Sequence, residues 1–463
     1  MTAPRVLIAD KLSPAAVDIF KNRGLDFDIK DVIAAANRLK VIARAGIGVD
    51  NVDIPAATAK GVVVMNTPFG NSITTAEHAI AMMFALARQI PAADASTQAG
   101  KWEKNRFMGV ELYAKTLGLI GAGNIGGIVA DRALGLKMKV VAYDPFLSPE
   151  RAVEMGVEKV ELEDLLARAD VITLHTPLTD KTRNILSAEA LAKTKKGVLI
   201  VNCARGGLVD EAALRKLLDE GHVGGAAFDV FTVEPAKENP LFGSDKVVAT
   251  PHLGPSTSEA QENVALQVAE QVSDYLLTGA VTNALNSPSI TAEEAPKLKP
   301  FVALAEKIGA FAGQMVDFGI KAIDIAYEGE VSGLNVKPMT SAALAGVLKP
   351  MLAEINMVSA PAVAKERGIT VSESRQEVSP TYDSLMRVTI TTEKGKRAFA
   401  GTVVAGAPRI VEAGVNIATF NLGRVAADED AIALVGVDQA PGGDLLGKIQ
   451  SLPHVKEARA LRF

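Results

Sequence analysis

The chain has 463 residues, too long for one hydrophobic core and suited to roughly three or four domains. It is 48% hydrophobic and 22% charged with a formal net charge of -5, which gives no electrostatic reason to bind nucleic acid. Cys203 has no second cysteine to pair with, which excludes an internal disulfide and points to a reducing compartment. The opening MTAPRVLIAD lacks a signal-peptide core, and the apolar run 76–86 is too short for a bilayer. A cytoplasmic protein without membrane contact is expected.

Arg5–Asp10 reads as a first strand, and Ser13–Arg23 as a helix with Ser13 as cap and Pro14 at its first position. Leu25–Ile29 alternates like a second strand, but Lys30 runs straight into the helical pattern DVIAAANRLK with no loop between. Lys40–Ala43 is a strand that leads into a loop bearing Gly46 and Gly48. Helix Ile54–Lys60, strand Val62–Asn66, a turn-rich hinge to Ser72 and the long helix Thr74–Arg88 follow. Strand and helix alternate, which predicts a first parallel α/β unit.

The stretch Thr116–Asp144 carries the strongest signal. An apolar strand, Thr116–Ile120, runs into Gly121-Ala-Gly123-Asn124-Ile125-Gly126 and a helix to Leu134. A second strand ends on Asp144, about 20 residues past the last glycine. Gly121 suits a tight turn, Gly123 a close approach to pyrophosphate, and Gly126 close helix–strand packing. The helix N-terminus offers N–H groups and positive dipole to phosphates. Asp144 can accept hydrogen bonds from ribose hydroxyls and repels a 2′-phosphate. These features predict NAD rather than NADP.

Beyond Asp144 the strands Val171–Leu174, Val198–Val201, Gly225–Phe228 and Val247–Ala249 end in His175-Thr176-Pro177, Asn202-Cys203-Ala204-Arg205, Asp229 and Thr250-Pro251-His252. Ligands of open α/β sheets bind at such carboxyl ends. Ser258–Thr278 is a long helix that could return to the first unit. From Pro296 the character changes to α+β: helix Pro300–Phe318, strand Lys321–Glu328, helix Ser341–Leu352, and alternating runs Leu385–Thr392 and Ala398–Val404. The last segment holds Gly414–Phe420, Ala431–Val437, a helix near Leu445–Leu452, and Val455–Phe463. A second join there, GAPRIVEAGVN, leaves barely a turn of helix between two strands.

Hydride transfer at a 2-keto acid needs a cation for the carboxylate and carbonyl, a proton donor effective near ambient pH, and a group that holds that donor. His252 lies at a strand end where the nicotinamide would point; its plain alternative is capping or packing. Glu234 beside Pro235 can pair with that imidazole, although alone it reads as a solvated loop acid. Arg205, flanked by Ala204 and Gly206-Gly207, can bind a carboxylate bidentately or form a structural ion pair. His175, with Thr176 and Pro177, is expected to line the adenosine side. Asp229 either holds the nicotinamide carboxamide or caps a turn, and Cys203 lacks the partners of a nucleophile. Lys101, Lys104 and Arg106 around Trp102 read as a solvated face, with a reach toward a substrate phosphate as the functional alternative. No metal-ligand spacing is present.

The segments VIARAGIGVDNVDI, GAGNIGG, LHTPLT, VNCARGGLVDE, DVFTVEP and TPHLG together resemble the D-isomer-specific 2-hydroxyacid dehydrogenases over nearly the whole chain. The appended regions resemble the long form of that family. The resemblance implies two doubly wound α/β domains followed by two α+β domains. These are a flavodoxin-like substrate domain at 1–70 and 255–283, a Rossmann NAD domain at 71–254, an intervening allosteric substrate-binding domain at 284–404, and an incomplete ACT regulatory domain at 405–463. It places catalysis on Arg205, Glu234 and His252, and substrate contacts on Arg44, Gly46 and Asn71. NAD contacts fall on Ile47, Asn124, Ile125, Asp144, Thr176, Cys203, Ala204, Arg205, Asp229 and the His252–Pro255 turn, which includes Gly254. The implied reaction oxidises 3-phospho-D-glycerate to 3-phosphohydroxypyruvate, the start of serine synthesis, in a homo-oligomer (tetramer favoured), with L-serine as effector at Asn416.

Three departures accompany the resemblance. The family's Arg-Ser-x-Thr strand end would fall at Lys30/Asp31 and is absent, and the ACT domain's first strand and ligand loop are missing between Ala405 and Glu412. Pro255 stands where the family usually has alanine, and it has no N–H to offer a cofactor. Two rivals follow from the same residues: a glyoxylate or hydroxypyruvate reductase, which shares the catalytic trio, and a non-catalytic NAD-sensing scaffold like the corepressors of this fold.

Overall fold

The computed structural model describes residues 5–8, 15–16, 19, 26–29, 39–49, 52–316, 319–352, 355–379, 382–404, 406–411, 420–424 and 431–435, with positions 447, 450–451, 457 and 459 beyond them. Residue contacts divide the chain into two units. One comprises Met1–Arg44, Gly48–Asn66 and Val268–Phe463, the other Ala45–Ile47 and Thr67–Gln267. The Lys30/Asp31 join, Asn416 and the end of the chain past Phe420–Arg424 and Ala431–Val435 lie outside the described residues, apart from the isolated positions given above.

In the first unit, strands β1 (Arg5–Ile8) and β2 (Asp26–Ile29) form a parallel pair, as do β3 (Val41–Ala43) and β4 (Val63–Met65). Helix Ile54–Ala59 between β3 and β4 is capped by Asp53, whose carboxylate accepts Ala56 N–H at 2.9 Å. The chain returns to β4 much later: Met65 bridges Ala284, and Asn286 Oδ1 accepts Val64 N–H at 2.8 Å. The same amide's nitrogen donates to Val62 O at 2.9 Å, so one side chain satisfies the edge of β4.

In the second unit, β5 (Thr116–Ile120), β6 (Lys139–Tyr143), β7 (Glu158–Lys159), β8 (Val171–Leu174), β9 (Val198–Asn202), β10 (Val223–Phe228) and β11 (Val247–Ala249) build one parallel sheet. Its order is β11-β10-β9-β8-β5-β6-β7. The chain winds one way from β5 to β7 and the other way from β8 to β11, so the topological switch lies between β5 and β8. β8 and β9 are buried at every position, as expected of strands covered on both faces. Each fully buried Leu or Ile contributes about 1.5–3 kcal/mol relative to exposure. Helix Ser72–Ala87 covers one face through Ala76, Ala79, Met82, Met83 and Leu86. A short helix not anticipated from the sequence, Ile90–Gln98, follows with Pro91 in its first turn.

The first unit also holds a mixed five-stranded sheet, β12 (Ala322–Gly329), β13 (Thr370–Gln376), β14 (Ser384–Thr392), β15 (Gly395–Val404) and β16 (Ala407–Val411), in the order β13-β12-β14-β15-β16. Two helix expectations are corrected here. The first helix spans Ala295–Gln314, not Pro300–Phe318, and carries Pro300 inside it. It is started by a capping box, Thr291 N–H to Glu294 Oε2 at 3.0 Å and Glu294 N–H to Thr291 Oγ1 at 3.2 Å. The second spans Lys337–Leu348, not Ser341–Leu352, with Pro338 in its first turn. These two helices meet backbone to backbone: a Cβ on Gly309 would lie 2.2 Å from Ala343 O, and one on Gly313 2.3 Å from Val347 O. Strand β16 pairs with β15, so this sheet continues past position 404. Strands β17 (Phe420–Arg424) and β18 (Ala431–Val435) form an antiparallel pair. No helix among the described residues is long and apolar enough to cross a membrane.

Candidate active site

All the second unit's predicted site residues except Gly46, Ile47 and Asn71 follow the carboxyl ends of its parallel strands, which share one edge of the sheet. At the end of β5 the three glycines separate by cause. Gly121 has φ 95°, and a Cβ there would meet His175 O at 2.5 Å. A Cβ on Gly126 would lie 2.0 Å from Gly121 O. Both are required by the protein's own packing. A Cβ on Gly123 meets nothing within 4 Å, so the open space above it is free for a ligand's phosphates. Gly123 is also the N-cap of helix Asn124–Gly135 and makes no side-chain cap, which leaves the N–H groups of Asn124, Ile125 and Gly126 without one.

Asp144, at the end of β6, closes this loop: its Oδ2 accepts Ala122 N–H at 2.8 Å and its Oδ1 accepts Phe146 N–H at 2.8 Å. His175 sits across from Gly121. Its Nε2 pairs with Thr173 Oγ1 at 2.9 Å, while its buried Nδ1 has no hydrogen-bond partner. Burial pushes the imidazole down to about 3, so it is neutral at ambient pH. An open glycine cradle, an uncapped helix start, a ribose-competent carboxylate and an orphaned ring nitrogen together fit a dinucleotide. Pro177 O is taken by Thr182 Oγ1 at 2.6 Å, and Thr176 lies between it and His175.

The loop after β9 is shaped by Asn202. Its amide oxygen accepts Ala204 N–H at 3.1 Å and its nitrogen donates to Arg205 O at 2.9 Å. Gly206 presses on the next loop, where a Cβ would meet Phe231 O at 1.9 Å. One Arg205 nitrogen donates to Ala204 O at 2.7 Å. Cys203 is buried, and burial together with the Asp229 charge pushes its thiol up, out of reach of a thiolate at ambient pH.

Glu234 and His252 meet directly. Glu234 Oε2 lies 2.7 Å from His252 Nδ1 across 18 residues of sequence, and Oε1 accepts Phe231 N–H at 3.0 Å. Both side chains keep access to solvent, at 35% and 42% exposure. The Glu234 loop is pinned by Glu211, which takes Thr232 N–H at 2.9 Å and Asn239 Nδ2 at 2.7 Å. The His252 loop is pinned by Asp229. Its backbone oxygen accepts His252 N–H at 2.8 Å. Its carboxylate accepts Leu253 N–H at 2.7 Å, Gly254 N–H at 2.8 Å and the Thr250 hydroxyl at 2.6 Å. Burial would raise the Asp229 carboxyl, but hydrogen bonds from His78, Thr250, Leu253 and Gly254 outweigh it and hold it below the usual carboxylate range. Pro255 follows Gly254 half-buried.

Of the residues expected to meet substrate, Asn71 precedes helix Ser72–Ala87, is 8% exposed, and its Oδ1 has no partner. Gly46 N–H donates to Thr67 Oγ1 at 2.6 Å, with half-buried Ile47 beside it. Arg44 belongs to the other unit, where its backbone N–H bonds Met65 O at 3.0 Å and its guanidinium bonds Gly48 O. Arg106, of the basic cluster, pairs with Glu103 at 3.1 Å and Asp245 at 3.6 Å, as a solvated face does. Sequence reasoning missed Glu211 and His78. Glu211 opens a helix at a position where any acid is ordinary, and only its contacts reveal a role. No group of side chains suited to a metal occurs among the described residues.

Comparison with known proteins agrees with this geometry. Residues 80–254 match the family described as D-isomer specific 2-hydroxyacid dehydrogenase, NAD binding domain. Residues 297–414 match the D-3-phosphoglycerate dehydrogenase intervening domain. The chain is 40% identical to D-3-phosphoglycerate dehydrogenase of Methanocaldococcus jannaschii, over 94% of this chain and 90% of that one. It is 45% identical to the Bacillus subtilis enzyme of the same name, over 85% and 74%. Among solved structures it resembles a glyoxylate reductase from Paecilomyes thermophila, with TM-score 0.56, 29% identity, and 62% of this chain and 99% of that one covered. It also resembles a D-lactate dehydrogenase from Aquifex aeolicus complexed with NAD and lactic acid, with TM-score 0.54, 25% identity, and 62% and 100% covered. The chain belongs to the D-3-phosphoglycerate dehydrogenase family, within the D-isomer-specific 2-hydroxyacid dehydrogenases.

Proposed function

We propose that this protein oxidises 3-phospho-D-glycerate to 3-phosphohydroxypyruvate with NAD, the first step of L-serine biosynthesis. The observation that carries the reading is the Glu234–His252 pair at 2.7 Å, on the ligand-binding edge of a parallel sheet with a dinucleotide cradle. Held by the Gly121–Gly126 loop and Asp144, NAD would supply the acceptor for the hydride at C2. Because Nδ1–H of His252 donates to Glu234, the neutral ring presents Nε2 as a base, and Nε2 takes the proton of the C2 hydroxyl as the carbonyl forms. Glu234 steadies the imidazolium that results, as a buttressing carboxylate does. Arg205 is assigned the substrate carboxylate and the developing carbonyl. Arg44, Gly46 and Asn71 are assigned the rest of the substrate, and the unpartnered Asn71 Oδ1 supports that assignment.

The reading extends to assembly and control. A homo-oligomer, taken as a tetramer, is supported by Trp102, Met108 and Tyr113, which are 87%, 77% and 69% exposed on one stretch of the NAD-binding unit. An ACT region is supported by the antiparallel pair β17–β18; L-serine as its effector is carried over from the family resemblance. A cytoplasmic setting is supported by the single free thiol. The deciding experiment is an NADH absorbance assay with 3-phosphoglycerate, run with and without serine, and in reverse with phosphorylated and unphosphorylated hydroxypyruvate. Preference for the unphosphorylated ketone would replace the reading with a glyoxylate or hydroxypyruvate reductase. No NADH signal with any 2-hydroxy acid would leave an NAD-sensing scaffold.

A further inference from the structure

Helix Ser72–Ala87 brings His78 to the back of the loop that carries His252. Its Nε2 lies 3.2 Å from Thr250 Oγ1 and 3.2 Å from Asp229 Oδ1. The His78 side chain is 19% exposed and that of Asp229 0%, so the contact is shielded from bulk water. Asp229 in turn receives three successive backbone N–H groups, those of His252, Leu253 and Gly254. These hold His252 at φ 57°, a left-handed conformation that a residue with a Cβ rarely adopts unless its surroundings hold it there. A carboxylate this deeply buried keeps its geometry only while its oxygens are satisfied. The other titratable neighbour, Cys203, is a neutral thiol whose burial and proximity to Asp229 push it up.

We propose that His78 is a positioning residue for the reaction: it donates Nε2–H to Asp229, keeps that carboxylate on the Leu253 and Gly254 amides, and so fixes His252 against Glu234. The inference rests on His252 acting as the base. His78 never touches substrate in this scheme, and its effect passes through one buried acid.

The test compares the full-length wild type with His78→Leu and His78→Gln by steady-state kinetics, NADH fluorescence titration and hydrogen exchange over 250–254. The leucine variant should lose roughly 10- to 100-fold in kcat, the scale of a small misplacement of a catalytic group. Its substrate KM should stay near wild type, its NADH affinity should change less than kcat does, and the Leu253 and Gly254 amides should exchange faster. The glutamine variant, whose amide N–H reaches nearly the same point as Nε2, should recover most of the rate and the protection. If the leucine variant does not fold, His78→Asn supplies the comparison, because its shorter side chain places no donor there. Wild-type kcat and protection in the leucine or asparagine variant, or a glutamine variant as impaired as they are, would overturn the proposal. If the wild type itself does not oxidise 3-phosphoglycerate, the proposed function fails, and the exchange data still decide whether His78 holds the loop.

Discussion

The seven-stranded parallel sheet and the five-stranded mixed sheet use glycine and polar residues in different ways. Around the parallel sheet, polar groups gather where strands stop: Asp144, His175, Asp229 and His252 all follow carboxyl ends. Its glycine loop leaves one position, Gly123, with empty space above it. Around the mixed sheet, glycines lie inside the two helices and are filled by the partner's backbone, as at Gly309, Gly313 and Gly346. Polar groups there close on each other, as when Tyr327 OH meets Thr340 Oγ1 at 2.8 Å inside the core. One region leaves a glycine position open for a ligand; the other fills its helix glycines with backbone.

Substitutions can break that contrast. The largest effect is expected from His252→Ala, which should lower kcat by about 10²–10⁴-fold and barely move thermal stability, since the side chain is 42% exposed. NADH absorbance and a melting curve measure the two. A residual rate within tenfold of wild type would remove the base. In the packing region the signs reverse. Gly309→Val would drive a side chain into Ala343 O, 2.2 Å from the ideal Cβ, and should cost about 3 kcal/mol of stability while NADH binding persists. Calorimetry beside a fluorescence titration separates these outcomes.

A third effect depends on pH. His175 is held neutral down to about 3 by burial, whereas an unfolded histidine takes its proton near 6.5, an ordinary value of about that size. Between those limits the unfolded chain binds a proton that the folded chain refuses. The His175 contribution is therefore complete above about pH 6.5 and falls with pH, by up to about 1.4 kcal/mol per unit. Denaturant titrations at several pH values should show a shallower slope in His175→Asn, and an unchanged slope would place the imidazole in solvent. The smallest effect is expected at Asp144. Removing its charge in Asp144→Asn should improve NADP use by about 1 kcal/mol, the strength of a screened repulsion, read as a relative kcat/KM.

The alternation of the second unit was legible because its strands are short apolar runs bounded by turn residues, and Val171–Leu174 and Ser258–Thr278 fall where the pattern puts them. Helix starts in the later region were harder to read. Proline suits a first turn, but Pro300 lies inside its helix, which the box made by Thr291 and Glu294 starts earlier. That box is itself a sequence signal, T-x-x-E. Strand Thr370–Gln376 gave no sign at all, since every one of its residues is exposed and none shows an apolar alternation.

Composition and local pattern determined the α/β architecture, the glycine cradle and the residue types at strand ends, because each depends on neighbours within a few positions. Only folding decided which of those polar groups meet. Glu234 reaches His252 because Glu211 and Gly206 fix one loop and Asp229 fixes the other. Asp229 is held likewise: in the folded chain His78, Thr250 and two backbone amides meet its carboxylate. A side chain's partners depend on which distant groups arrive within about 3 Å with the right geometry, and that distance is set by the packing of the whole sheet.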